Sequence, residues 1–83
     1  MHYRIVPDRD DVQEKLSPGQ RKMIWQFAPT SYSDIVVAAC EADRLGRVWR
    51  GIRWHVLFDD TGDPESWARV VMKYRAKGVF VAS

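Results

Sequence analysis

A single cysteine, Cys40, in a chain of 83 residues removes covalent cross-links from what can hold this fold together. One thiol forms no intramolecular disulfide. With only His2 and His55 to help it, Cys40 also falls short of a four-ligand zinc set. A chain this short buries only about 60% of its unfolded surface, so its apolar core has little to spare. Four tryptophans, three tyrosines and three phenylalanines concentrate the apolar content in large side chains. Each of these buries roughly 150–250 Å², which makes so small a core workable. The expectation is one domain spanning residues 1–83, built without staples.

The order of elements follows from punctuation and period. Residues 2–6 are β-rich and stop at Pro7, so they read as a first strand, followed by a charged turn at 7–11. Residues 12–16 offer one weak helical turn. Ser17, Pro18 and Gln20 are a stronger start signal, with cap, N1 proline and capping-box partner in order. The helix they open places Gln20, Met23, Ile24 and Phe27 on one face and ends before Pro29. A second helix is expected from a Ser33 cap, with Ile35, Ala38, Ala39, Ala42 and Leu45 as its buried stripe and Gly46 as its stop. From residue 47 to 58 the period falls to about two, which reads as one strand bent at Gly51, in preference to a tight hairpin. After a turn at 59–62, Asp63, Pro64 and Glu65 open a last helix with Trp67, Val70, Val71 and Tyr74 inward. Gly78 closes it, and residues 79–81 read as a final strand. The expected class is α+β in the order β-α-α-β-α-β, a sheet of about three strands with helices packed on one face. The last two strands would form a parallel, right-handed crossover.

The formal net charge of +2 says little, but its distribution says more. Residues 44–58 contain four arginines and no acid, between acidic clusters at 8–14 and 59–65. On one exposed strand face, Arg47, Trp49, Arg53 and His55 would stand together, with Arg50 as the exception on the otherwise apolar opposite face and Arg44 just before the strand. Trp and Arg are the usual hot-spot residues of protein interfaces. The same pair suits a single-stranded nucleic acid, where guanidinium groups meet phosphates and an indole stacks a base. A bland alternative buries Trp49 under a helix and lays the arginine stems over apolar surface.

Catalytic signatures are sparse. Cys40 falls inside a helix pattern, where nothing lowers its pKa. A Cys40–His55 pair oriented by Asp59 or Asp60 can be drawn on paper, as in most proteins. The acidic stretch 59–65 lacks calcium-loop spacing, and no phosphate-binding glycine loop occurs. No cofactor or metal is expected. Charges break up the apolar stretch a signal peptide needs, and no run nears the roughly 18 residues of a membrane span. With a lone thiol, this gives the expectation of a cytoplasmic protein without a membrane anchor. The leading reading is a non-catalytic adaptor or inhibitor docking on a larger protein through Arg44, Arg47, Trp49, Arg50, Arg53 and His55. Its size is that of phage and mobile-element accessory proteins. Nucleic-acid binding through the same segment ranks second and a small enzyme third. Strand 79–81 leaves pairing across a homodimer open.

Overall fold

The computed structural model describes residues 2–77. In chain order these form β1 (His2–Pro7), α1 (Arg9–Lys15), α2 (Pro18–Ile24), a 3₁₀ turn (Trp25–Phe27), β2 (Ser31–Tyr32), α3 (Ile35–Val48), β3 (Trp54–Asp59) and α4 (Pro64–Lys77). The three described strands make an antiparallel sheet in the order β2-β1-β3. The α+β class therefore holds, with β1 in the centre. The strand expected at 79–81, and the parallel crossover leading to it, lie outside the described residues. In the described sheet the third strand is instead the short β2, pairing Tyr3 with Tyr32 and Arg4 with Ser31.

Alternation along β1 divides the core in two. Ile5 points with Tyr3, Val56 and Trp54 toward Ala38 and Leu45 of α3. Val6 points to the other face, where Val12, Ile24, Trp25, Ile52, Trp67 and Tyr74 enclose it. Helices thus cover both faces of the sheet, where a single covered face had been expected. Trp49 and Trp54 pack against both clusters and join them at one end.

Local chemistry explains most boundaries. At α2 the capping box forms as expected: Gln20 N–H donates to Ser17 Oγ at 3.4 Å, and Ser17 N–H donates to Gln20 Oε1 at 3.0 Å. Asp63 caps α4, accepting from the Glu65 N–H and the Ser66 hydroxyl. Three expectations need correction. The turn at 7–11 is the start of α1, because Asp8 caps it by accepting from Asp11 N–H at 3.0 Å. Asp34, not Ser33, caps α3, and Gly46 does not stop it; the helix runs on to Val48. A Cβ on Gly46 would stand 4.0 Å from Trp54 Cδ1, an ordinary contact, so the helix packs against the indole here without requiring a glycine. Finally, residues 47–53 are not strand. The chain leaves α3 through a turn at Gly51, whose φ of +83° is a conformation only glycine takes freely, and β3 begins at Trp54.

The buried faces also shift. Trp25, expected off the face, is buried, while Met23 and Gln20 are exposed. Trp25 opens the 3₁₀ turn and packs edge-on against Tyr74, ring centroids 5.9 Å apart, within the Val6-side cluster. On α3 only Ala38 and Leu45 are buried; Ile35 and Ala39 are exposed, because two-residue β2 provides no cover for the first turn. On α4, Trp67 and Tyr74 are buried as expected. Trp67 Nε1 donates to Ala28 O at 2.8 Å, and the Tyr74 hydroxyl donates to Pro7 O at 3.0 Å.

One ion pair lies inside this packing. Arg4 Nε donates to Asp59 Oδ2 at 2.9 Å, with side-chain exposures of 7% and 1%. Arg4 Nη1 donates to Pro29 O, and the guanidinium lies 5.3 Å over the Trp67 ring. The second Asp59 oxygen accepts from Thr61 N–H and Oγ1–H. Burial pushes the Asp59 carboxyl up, but the Thr61 and Arg4 bonds outweigh it and hold the group below its ordinary value. Asp59→Ala should therefore cost about 3–5 kcal/mol, because it strands a buried guanidinium. The measurement is the urea midpoint, with Arg4→Met/Asp59→Leu expected to recover much of the loss. A single-variant cost below about 1 kcal/mol would show that water reaches Arg4.

Candidate interaction surface

The six residues singled out in the sequence do not share a face. Arg44 and Arg47 lie on the last two turns of α3, each tied to an acid of its own helix. Arg44 forks onto both Glu41 oxygens, and that hydrogen bond first of all lowers the Glu41 carboxyl and raises the guanidinium. Arg47 Nη1 meets Asp43 Oδ2 at 2.9 Å. Trp49 is half-buried between the two core clusters. Arg50 is exposed in the turn that follows and has no ion-pair partner among the described residues.

Only Arg53 and His55 come together, and they do so at the N-terminus of α1. Arg53 donates to Asp11 Oδ2 through its backbone N–H at 2.9 Å and through Nε at 3.0 Å. His55 Nε2 lies 3.0 Å from Asp8 Oδ2. Burial pushes the Asp8 carboxyl up, but the hydrogen bonds from His55 and the Asp11 N–H overcome it, and it ends below its ordinary value. Local geometry explains the pattern. The acids at 8–14 read as a separate patch in the sequence, yet antiparallel pairing of Pro7 with Trp54 sets them beside the 53–55 segment. Three of the four arginines are thus compensated within 3.1 Å. His55 follows the Val6 face of the sheet, whereas Cys40 is exposed on α3, which covers the Ile5 face. The pairing of those two residues drawn from the sequence does not assemble.

A different surface does. Within the apolar run 35–40 on α3, only Ala38 is buried. Ile35, Val36 and Val37 are 53%, 64% and 52% exposed, and Ala39 and Cys40 are exposed beside them. On the same side of the sheet, the register aligns Tyr32, Tyr3 and half-exposed Phe58 in one row, the last two rings 5.5 Å apart. The run was visible in the sequence as the longest apolar stretch. Its exposure was not, since helical periodicity alone placed Ile35 and Ala39 inward. Singly exposed apolar residues are ordinary; a contiguous turn of them marks a surface that meets something.

Comparison with protein-family models, curated proteins and solved structures returns no match. No helix among the described residues is long and apolar enough to cross a membrane.

The Asp11–Arg53 contact makes stability pH-dependent. The hydrogen bond from the Arg53 side chain first of all holds the Asp11 carboxyl at about 2, against an ordinary 3.8. A depressed carboxylate stabilises the fold fully above its unfolded value, and the contribution is lost as pH falls toward the folded one. The window runs from pH about 4 down to about 2. Arg53 is 70% exposed and solvent screens the pair, so the effect should be small. Thermal unfolding followed across that window should show a shallower acid decline in Arg53→Ala than in the parent. Identical slopes would mean the pair contributes nothing.

Proposed function

We propose that this chain is a small non-catalytic binding protein, an adaptor or inhibitor by type, that docks on a larger protein through the outer face of α3. One observation carries the reading: Ile35, Val36 and Val37 are three consecutive exposed apolar side chains, whereas α2 and α4 expose single ones, Met23 and Met72. Burying these side chains on a partner would gain roughly 25 cal/mol per Å² of apolar surface. The neighbouring Glu41–Arg44 and Asp43–Arg47 pairs provide a polar rim around that apolar centre, the usual anatomy of an interface. The exposed Cys40 thiol in the middle of the patch suits a reducing, cytoplasmic setting.

The pairing of Arg44, Arg47 and Arg53 with carboxylates favours a protein partner over nucleic acid. Phosphates would have to displace those acids before gaining a contact. Within the basic segment 44–55, Arg50 keeps a guanidinium without a carboxylate partner among the described residues, and a single such group there is a weak footprint.

Val36→Asp/Val37→Asp tests the face without touching the core, since both side chains are exposed. With tagged protein and nuclease-treated extract, the parent should retain a discrete protein partner and the double variant should lose it at unchanged thermal stability. Arg47→Ala/Arg53→Ala should retain the partner. Loss in the arginine variant alone would return the site to the basic segment. Sedimentation of the purified parent then separates a foreign partner from a second copy of the chain.

A further inference from the structure

Between the 3₁₀ turn and α4 the structure encloses a cleft of about 250 Å³. Its walls are apolar: Trp25 with Ala28 on one side, Trp67, Val71 and Met72 on the other. Two guanidinium groups border it, Arg4 and Arg75. Each already lies over an indole, Arg4 5.3 Å from the Trp67 centroid and Arg75 4.9 Å from that of Trp25.

The two arginines are not equivalent. Arg4 is neutralised by Asp59 at 2.9 Å. Arg75 has no carboxylate partner among the described residues, although its backbone carbonyl accepts from Arg9 Nε. Arg75 and Met72 also border a shallower hollow with Gln13 and Ala76, so the guanidinium stands where the cleft opens to solvent. The contact with Trp25 holds the guanidinium over the indole, 4.9 Å from its centroid. Its N–H groups meet no carboxylate among the described residues, and a guanidinium offers them in the fork geometry that matches one. The site thus combines one net positive charge with an apolar chamber smaller than the roughly 300–1,000 Å³ of drug-sized pockets.

We propose that this cleft binds a small monocarboxylic acid built on one compact apolar group, its carboxylate on the edge of Arg75 and its apolar body against Trp67 and Val71. One uncompensated cation suits a monoanion, whereas a phosphate dianion would leave charge unmatched in an apolar chamber. The site is separate from the outer face of α3, and the failure of either proposal leaves the other standing.

The test is a titration of the full chain with phenylacetate and with its neutral isostere phenylacetamide, followed through the indole N–H resonances. Trp67 Nε1–H, bonded to Ala28 O in the cleft wall, reports the site directly. Phenylacetate should give saturable shifts of the Trp25 and Trp67 signals and bind at least about tenfold more tightly than the amide, the scale of one charge-assisted hydrogen bond. Arg75→Gln should reduce the acid to the level of the amide. Ala68→Leu, which fills the cleft from an exposed position on α4 with a good helix former, should abolish both. Absence of saturation at concentrations on the order of 10 mM, equal affinity for acid and amide, or unchanged binding in either variant would overturn the proposal.

Discussion

A charged pair at the heart of a marginal core organises this molecule. Arg4 projects from the central strand into a layer of aromatic and aliphatic side chains, where an unpaired guanidinium would be costly. Everything around it answers that cost. Asp59 ends β3 with a carboxylate at the right height, the chain before β2 turns its Pro29 carbonyl inward, and α4 lays the Trp67 ring over the charge. A purely apolar layer would tolerate small shifts of these segments. A fork of directional bonds does not, so the pair defines how α4 and the 28–31 segment meet the sheet.

The same economy governs the surface. Most of the basic segment is matched by acids close at hand, within α3 or across the sheet from α1. Polar side chains that looked free in the sequence are largely engaged, and the least engaged surface is apolar. The inversion has a simple cause. Charges find partners over a few ångströms wherever the fold offers them, while apolar side chains need area, and a domain this small cannot cover every turn of a fourteen-residue helix.

Much of the fold was legible in the sequence where the controlling chemistry is local. Ser17 with Gln20, and Asp63 with Pro64, announce helix starts through bonds spanning three residues, and both starts appear where expected. Trp67 and Tyr74 were legible as an inward stripe because α4 is regular. Legibility failed where a boundary depends on distant contacts. The alternation in residues 47–53 resembles a strand, but Trp49 is drawn between two core clusters and the helix keeps its hydrogen bonds to reach it. Asp8 could have been read as a cap with Asp11 three positions on, but its partnership with His55 could not, since it exists only once β1 and β3 are in register. The candidate residues were expected on one strand face for the same reason. Alternation assigns faces only after the strand itself is known.

The central strand pairs along its length with β3, and the ion pair between them joins residues 55 positions apart. A chain emerging from the ribosome therefore makes its innermost strand early and holds it without its main partner until some fifty further residues have been added. In the interval α1, α2 and α3 can form as local helices carrying Val12, Ile24, Ala38 and Leu45, but the sheet they pack on lacks the strand that pairs with β1 along its length. Assembly should proceed as a late, concerted step that waits on β3, with the slow kinetics of long-range pairing rather than those of a helical bundle. During that wait the strand most deeply buried in the finished molecule is the one most in need of shelter.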